Sequence, residues 1–334
     1  MFEKAELSTT VTANPIAKEL QQRLEQRLGP VHARQRLGIE NEHHQHVFSR
    51  SGKFFHLENW YSLHAVIRQC VRMAGLHGRG QTNATKIAVR QHRFFLPQLP
   101  EAFNGLRLLH LSDLHVDMYP PAIHALIERL RQVDYDLCVM TGDYRARTFG
   151  DIDHAMEVLA SVRSHLRGPV YGVLGNHDSI RMVPAMEDMG ISMLLNENMA
   201  IERQGQTIYL AGIDDAHFFR VDNIEKALAS IPDDSIKILL SHTPEVYRQA
   251  AHAGCDVFLC GHTHGGQICL PGGVPLTLDS RCPRKLGNGA WQYHTMQGYT
   301  SVGAGTSIVN IRLNCMPEIT VHTLCNKKTN HSHE

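Results

Sequence analysis

The 334-residue chain contains eight cysteines, but no two of them stand at Cys-x-x-Cys spacing. This absence argues against a disulfide framework and against a zinc site built from thiolates, and it predicts a reducing compartment. The chain also lacks an apolar run long enough to cross a membrane, and its first ten residues lack the apolar core of a signal peptide. We therefore expect a cytoplasmic protein, either free or bound peripherally to the inner face of the membrane.

Acidic residues are absent from one long segment, residues 59–100, which contains six Lys or Arg. The formal net charge of the chain is zero, yet residues 1–100 carry 14 basic residues against 7 acidic ones, and residues 101–334 carry 19 against 26. Apolar residues at helical spacing predict an amphipathic helix over 57–76. This helix either lies on an anionic membrane or packs on the protein with its basic side in water. Nucleic acid is the less favoured partner of this region, although basic patches bind it too.

Hydrophobic spacing divides the chain into helices and strands. Helices are predicted at 16–29, 120–132, 152–166, 223–230 and 245–252, and strands at 86–96, 306–313 and 318–324. The alternation of strands and helices, followed by a strand-rich end, predicts an α/β fold class with mixed sheets flanked by helices. We assign this domain to residues 86–325, a basic and mainly helical extension to 1–85, and a polar tail to 326–334.

The polar stretch 38–53 contains the sequence EHHQH. Its histidines, His43, His44 and His46, offer nitrogen ligands. A solvated loop is the favoured interpretation of this stretch, and adventitious metal binding is the alternative.

Five apolar runs end at residues suited to binding metal. Each run has four or more apolar residues in a short window, which is typical of a buried strand, and ligand sites of α/β sheets lie beyond the carboxyl ends of such strands. The runs are LRLLHLSDLH, LCVMTGDY, PVYGVLGNHD, IKILLSH and DVFLCGHTH. The ligands that they supply are Asp113, His115, Asp143, Asn176, His242, His262 and His264. Seven ligands are too many for one tetrahedral ion and fit two five- or six-coordinate ions that share a carboxylate.

Carboxylate, amide and imidazole ligands suit Mn, Fe, Co or Zn, and the general order of affinities does not choose among these metals. We expect two divalent ions, with Mn²⁺ first and Fe, Zn or Co as alternatives. Such pairs lie about 3.5–4 Å apart in phosphatases and nucleases, where they hold the attacking and leaving oxygens of a displacement at phosphorus. The pattern therefore predicts a hydrolase of phosphate esters.

The series DLH, GDY, GNHD, SH and GHTH, in this order, resembles the calcineurin-like metallophosphoesterase superfamily. The resemblance covers roughly residues 86–325 and implies a four-layer fold in which two packed mixed β-sheets are flanked by helices. The implied ligands are, for one metal, Asp113, His115 and His264, for the other, Asn176, His242 and His262, and, bridging both, Asp143. The resemblance further implies that a hydroxide between the metals attacks phosphorus and that His177 is the general acid for the leaving oxygen.

The sequence departs from one subgroup of this superfamily. Members that act as protein phosphatases have an Asp three residues after the bridging carboxylate, and this Asp orients the histidine; here Ala146 stands at that position. The departure argues against protein phosphatase activity. It leaves Arg145 and Tyr144 as candidate substrate contacts, and Asp178 as a candidate substrate contact or support for His177.

The segment GHTHGGQICLPGG, together with NE at 196–197, AGIDD at 211–215 and PEITVHTL, resembles the branch that contains phosphodiesterases and the pyrophosphatase that cleaves UDP-diacylglucosamine. This resemblance implies hydrolysis of phosphodiester or pyrophosphate bonds in a lipid-linked or nucleotide substrate. Alternatives are a phosphomonoesterase or protein phosphatase of the same fold, or a catalytically silent, metal-filled scaffold that binds a membrane or protein partner. The loop 271–290, rich in Gly and Pro, either binds the substrate's non-reacting part or is a solvated surface loop.

Overall fold

The computed structural model describes residues 15–49 and 69–326 of the chain. All five runs that carry candidate ligands form strands whose residues are almost all buried. These strands are β2 (Arg107–Leu111), β3 (Leu137–Met140), β4 (Val170–Gly172), β8 (Lys237–Leu240) and β9 (Val257–Cys260). The apolar runs are therefore strands of a buried sheet, as expected from their composition.

The strands form two six-stranded mixed sheets. The first has the order β1-β14-β2-β3-β4-β5, and its further strands are β1 (Ala88–Phe95), β5 (Ile191–Met193) and β14 (Glu318–Cys325). The second has the order β12-β13-β9-β8-β7-β6, and its further strands are β6 (Glu197–Arg203), β7 (Gln206–Gly212), β12 (Gly289–Tyr293) and β13 (Met296–Thr300). Because β2, β3 and β4 are mutually parallel, and β8 and β9 are parallel as well, the carboxyl ends within each group meet at one sheet edge. A short pair, β10 (Cys269–Leu270) and β11 (Val274–Pro275), lies apart from both sheets.

Within residues 15–49 and 77–326, eight α-helices accompany the sheets. They are α1 (Pro15–Leu28), α2 (Pro30–Ser49), α3 (His77–Ala84), α4 (Pro120–Leu130), α5 (Asp153–Arg163), α6 (Val183–Asp188), α7 (Ile224–Leu228) and α8 (Tyr247–His252). The helices predicted at 16–29, 120–132, 152–166, 223–230 and 245–252 are confirmed within a few residues. Helix α4 shows the cause: Pro at its first turn and buried Ile123, Leu126 and Leu130 give it one apolar face.

Three apolar clusters define the layers. Between the sheets, Leu108 and Val139 of the first pack with Leu210, Ile238 and Leu259 of the second. A second cluster joins the outer face of the first sheet to α1, α4, α5 and α6, and a third joins the outer face of the second sheet to α7 and α8. The four-layer arrangement of helices and two mixed sheets is therefore confirmed.

The loop predicted over 38–53 is wrong for residues 38–49, because α2 continues to Ser49. The buried residues of α2 include His32, Arg36 and Glu40, which recur every four residues but are polar. Hydrophobic periodicity cannot detect a helix whose inner face is made of ion pairs. Residues 50–53 and the side chain of His46 lie outside the described residues.

The basic helix predicted over 57–76 lies largely outside the described residues, which resume at 69; the chain is helical at 69–73. The tail beyond 326 also lies outside them. None of the helices in the described ranges combines the length and the apolar character needed to cross a bilayer.

The strand predicted at 306–313 is wrong, whereas the strand predicted at 318–324 is confirmed as β14. The segment 306–313 is irregular apart from one bridge between Leu313 and Ile268. Its Arg312 is completely buried and donates to the backbone carbonyls of Val302 and Gly305. This guanidinium therefore satisfies two backbone carbonyls of the segment 302–305, which precedes it.

Candidate metal centre

The seven candidate ligands converge at the carboxyl ends of β2, β3, β4, β8 and β9, which we call the ligand edge. The ligand atoms of each of two groups lie within 4.8 Å of one another. The first group contains Asp113, His115, Asp143 and His264, and the second contains Asp143, His242 and His262. The remaining candidate, Asn176, places Oδ1 2.9 Å from His242 Nε2. Asp143 belongs to both groups, as a bridging carboxylate must.

Five of the seven residues have backbone angles that non-glycine residues rarely adopt. Their φ values are 50° at Asp113, 40° at His115, 56° at Asp143, 72° at His262 and 50° at His264. Each such residue costs on the order of 1–3 kcal/mol, and such costs persist where the surrounding structure over-determines the conformation, often at functional sites. These backbone conformations turn the side chains that follow successive strands toward one point.

Two glycines let the strand ends approach each other. Gly142 has φ 88°, which permits the turn before Asp143. Gly175 has no positive φ, but a Cβ at this position would collide with Asp143 Oδ1 and with the backbone nitrogen of Asp143. The glycine before Asn176 is thus required by close packing rather than by a turn.

The donor arrangement fits a pair of cations. His115 Nδ1 lies 2.8 Å from the carbonyl of Arg145, and His242 Nδ1 lies 2.7 Å from the carbonyl of Thr141. Because a carbonyl only accepts, each Nδ1 carries a proton, and each Nε2 is left to bind a cation or to hold a second proton. These Nε2 atoms face acceptors: His242 Nε2 faces Asn176 Oδ1 at 2.9 Å and Asp143 Oδ2 at 3.4 Å. Acceptors that face one another in a buried site are satisfied by a bound cation.

The two carboxyls of the site have opposite pKa shifts. Burial raises the pKa of Asp113 to about 6; the attraction of His242 opposes this, and the negative charge of Asp143 adds to it. Burial acts in the same direction on Asp143, but His242, His177 and His115 together hold its pKa well below the usual value. Asp143 is therefore the more strongly anionic of the two carboxyls.

Most of the site's imidazoles are neutral, which is the form that binds metals. Burial lowers the pKa of His115 to about 4, and burial lowers the pKa of His262 and His264 well below the usual value. His242 is the exception, because Asp143 and Asp113 outweigh its burial and raise its pKa to about 10. Asp143 and Asp113 therefore favour a positively charged group beside them.

His177 lies at the mouth of the ligand edge, with its side chain 21% exposed and Nε2 3.9 Å from Asp143 Oδ2. Its backbone N–H donates to Asp143 Oδ1 at 2.9 Å. Its Nδ1 lies 3.2 Å from the hydroxyl of Thr148, a residue that no motif of the sequence indicates. The imidazole is therefore oriented by Thr148, not by Asp178.

The three candidate substrate contacts are buried and already have partners. Tyr144 donates its hydroxyl to the carbonyl of Val173, beneath the sheet edge. Arg145 donates to the carbonyls of His177, Gly150 and Thr148, and Asp178 accepts the backbone N–H groups of Asp143, Tyr144 and Gly175. These contacts engage the three side chains in holding the loops of the site in place, and their contact with a substrate stays a prediction.

A chain of buried polar groups leads through the interior to Asp113. Ser112 donates to Asp113 Oδ2 at 2.6 Å, and Thr141 donates to Ser112 at 2.7 Å. Thr141 must therefore accept from His110 Nε2, which lies 2.9 Å away, and His110 Nδ1 faces His322 Nε2 at 3.3 Å. Every donor in this series of hydrogen bonds points toward Asp113, so the series fixes the orientation of that carboxylate.

Helix α2 reaches the ligand edge. Glu40 accepts the hydroxyl of Ser179 and the backbone N–H of Ile180, both at 2.7 Å, just after His177. Arg36 donates to the carbonyl of Asp178 at 2.9 Å and lies 3.3 Å from Glu40. The extension therefore anchors the segment that follows the candidate general acid.

The same helix anchors the loop after β7. Arg36 lies 3.4 Å from Asp214 and 3.4 Å above the ring of Phe219, and His32 Nε2 lies 2.8 Å from Asp214. Burial raises the pKa of Asp214, but Arg36 and His32 outweigh it, so the pKa is lowered. Asp215 accepts the backbone N–H groups of residues 217–219 and thereby sets the direction of this loop.

A cavity of about 540 Å³ lies beside the metal groups, and we call it the aromatic pocket. Its lining residues are Ile39, Glu42, His43, His217, Phe218, Phe219, Arg220 and Arg281. The ring of His217 lies 4.2 Å from that of His262, so the pocket adjoins the ligand edge. His217 and His262 also form a third group with Asp279, an exposed residue of the loop 271–290. The loop also carries Arg281, Arg284 and Lys285, which are all exposed, and Arg281 lines the pocket.

Comparisons with known proteins agree with this geometry. The calcineurin-like phosphoesterase family matches residues 106–266. The metallophosphoesterase YkoQ of Bacillus subtilis is 30% identical over 66% of this chain and 83% of its own length. Phosphodiesterase YaeI of Escherichia coli is 27% identical over 64% of this chain and 80% of its own. A transmembrane protein with a metallophosphoesterase domain from Danio rerio is 30% identical over 67% of this chain but only 54% of its own.

Proposed function

Because the chain belongs to the calcineurin-like phosphoesterase family, we propose that it hydrolyses phosphodiester bonds, with pyrophosphate bonds as the alternative. The family consists of metal-dependent phosphoesterases with a dinuclear metal centre, and the ligand edge contains residues suited to that centre. The observation that carries the proposal is the convergence of the candidate ligands into two groups that share Asp143.

For the metals, we propose three ligands each and one bridge. The ligands are Asp113, His115 and His264 for the first ion, Asn176, His242 and His262 for the second, and Asp143 between them. Mn²⁺ is the favoured metal, and Fe, Zn and Co are alternatives, because nitrogen and oxygen ligands without thiolates suit all four. When bound, such ions activate a water molecule and neutralise charge on the phosphoryl oxygens.

His177 is proposed as the general acid. Its partly exposed imidazole stands beside Asp143, where a leaving oxygen would emerge. If the hydroxyl of Thr148 donates to Nδ1, then Nε2 keeps the proton that the leaving oxygen needs. The carbonyl of His177 accepts a hydrogen bond from Arg145 Nε at 2.7 Å, so the backbone of this residue is held in place as well.

The surroundings of the site favour a diester over a monoester. A phosphomonoester carries an additional negative charge, which a nearby guanidinium would stabilise. The two arginines that contact ligand residues, Arg145 and Arg312, instead donate to backbone carbonyls. Ala146 replaces the Asp of the protein phosphatases, which argues against that activity.

The cellular location is also a proposal. All eight cysteines are free, which fits a cytoplasmic protein. Contact of the basic segment 59–100 with an anionic membrane, and with it a lipid-linked substrate, is the alternative to packing on the protein. Flotation with phosphatidylglycerol vesicles tests it: we expect salt-sensitive binding if this contact exists, and no binding at low salt would contradict it.

The test of function is hydrolysis by metal-free protein to which Mn²⁺ is returned. We expect bis(4-nitrophenyl) phosphate to be cleaved faster than 4-nitrophenyl phosphate, and activity to vanish with a chelator. Met199→Ala, at an exposed position that belongs to neither ligand group and does not line the aromatic pocket, is the matched control variant. Two bound ions with no turnover of either ester or of an organic pyrophosphate would contradict the proposal and favour a silent scaffold.

A further inference from the structure

We propose that the aromatic pocket binds the nucleoside part of a nucleotide phosphodiester while the phosphorus lies at the ligand edge. The inference rests on the function proposed above and narrows it to one substrate class. The alternative class, a lipid-linked phosphate, would instead place an acyl chain in the same cavity.

The pocket has the right place and size. Because His217 lies against His262, a group held in the pocket is one side chain away from the metal groups. Its volume of about 540 Å³ falls within the usual range of small-molecule sites, about 300–1,000 Å³. A nucleoside is a ligand of this size.

The rings of the pocket offer faces and edges to a planar base. The centroids of His43 and Phe218 lie 4.6 Å apart, and those of Phe218 and Phe219 lie 4.9 Å apart. Phe218 is 38% exposed although it is large and apolar. Aromatic side chains that remain open beside a phosphate site are typical platforms for stacked bases.

The charges of the pocket favour a nucleotide over an acyl chain. Five of its eight lining residues are ionisable, namely Glu42, His43, His217, Arg220 and Arg281. Hydrocarbon packed against them would remove water from charged groups without replacing the lost hydrogen bonds. A nucleoside instead offers carbonyl and hydroxyl oxygens to the arginines, and hydroxyl or amino groups to Glu42.

The pocket is formed before any ligand binds. Glu245 Oε1 lies 3.1 Å from His217 Nδ1 and accepts the backbone N–H of Arg281 at 2.8 Å, so one carboxylate ties two walls together. The third wall is α2, whose Arg36 packs on Phe219. A rigid pocket loses little entropy when it binds a ligand. The extension is therefore part of the recognition site.

The experiment compares two esters with the same leaving group. These are thymidine 5′-(4-nitrophenyl phosphate) and methyl 4-nitrophenyl phosphate, assayed with the full chain and Mn²⁺. We expect the wild-type protein to prefer the thymidine ester in kcat/KM. Phe218→Ala should reduce this preference about 5-fold or more through a higher KM, because it removes one stacking platform. Met199→Ala, with a side chain of equal exposure that does not line the pocket, should keep the preference.

Two results would overturn the inference. One is a preference that Phe218→Ala and Arg281→Ala both leave unchanged. The other is a Phe218→Ala variant whose kcat/KM falls for short-chain phosphatidylglycerol but not for the thymidine ester. This result would assign the pocket to a lipid substrate. If neither of these esters nor an organic pyrophosphate is cleaved, the proposed function fails, and thymidine 5′-monophosphate binding measured by calorimetry still tests the pocket: weaker binding to Phe218→Ala supports it, and equal binding overturns it.

Discussion

The ligand edge and the aromatic pocket lie side by side, but they are built in different ways. At the ligand edge, every candidate ligand follows a buried strand, and most have strained backbones. The pocket takes its walls from α2, from the loop after β7 and from Arg281, which are far apart in the sequence. The sheet thus places the chemical groups locally, whereas the recognition surface depends on tertiary contacts made by the extension.

This contrast has a consequence for substitutions. A change at the ligand edge should remove chemistry while the fold remains. A change in the contacts of α2 should weaken the fold and the pocket while the metals remain. The following variants test that separation, from the largest expected effect to the smallest.

Asp143→Asn should abolish hydrolysis. The substitution keeps the shape of the side chain but removes the charge shared by both metal groups, next to His115 and His242. We expect no measurable turnover of bis(4-nitrophenyl) phosphate, fewer than two Mn²⁺ ions per chain, and an unchanged circular dichroism spectrum. Wild-type activity in this variant would show that the two metal groups do not act together.

His177→Ala should lower kcat by about 10²–10⁴-fold, as expected for loss of a positioned acid. Both ions should remain, because His177 belongs to neither metal group. Kinetics and elemental analysis of the same preparation provide the two measurements. His154→Ala, at a position where the side chain is 71% exposed, serves as the control. Full activity in His177→Ala would show that His177 is not the general acid.

Arg36→Met should destabilise the protein by about 3–5 kcal/mol, because it leaves Asp214 and Glu40 as buried charges with one partner fewer. Arg34→Met is a control two residues away: Arg34 pairs with Glu25 on the surface, and its loss should cost about 0–1 kcal/mol. Urea unfolding of both variants measures the difference. Equal free energies of unfolding for the two variants would show that α2 is not anchored as described.

Thr148→Val should have the smallest effect. It removes the hydroxyl that faces His177 Nδ1 and keeps the side chain's shape. Loss of one such hydrogen bond should lower kcat about 2- to 10-fold. The double variant with His177→Ala should be no slower than His177→Ala alone, since the hydroxyl acts only through the imidazole. An additional loss in the double variant would assign Thr148 another role.

The ligand edge can be predicted from the sequence because its signals are local. An apolar run that stops at Asp113 or His262 places that residue at a strand end, and parallel strands bring their ends together. The direction of the side chain that follows a ligand, such as Tyr144 after Asp143, depends on tertiary contacts and not on the local sequence. Nothing in the sequence distinguishes Tyr144, whose hydroxyl points beneath the sheet, from a residue that faces the substrate.

The contacts of the extension cannot be predicted by the same method. Helix α2 buries Arg36 and Glu40 where hydrophobic spacing expects apolar residues, so its second half has the composition of a loop. The segment 306–313 fails in the opposite way: its apolar spacing predicts a strand, but Arg312 is completely buried and donates to the backbone carbonyls of Val302 and Gly305. In both segments a buried guanidinium has polar partners that hydrophobic spacing does not reveal.

The central claim is that two cations lie on either side of Asp143. Anomalous diffraction from crystals grown with Mn²⁺ tests it directly. We expect two peaks about 3.5–4 Å apart, one beside His115 and His264, the other beside His242 and His262. A single peak, or peaks only at His217 and Asp279, would contradict the account.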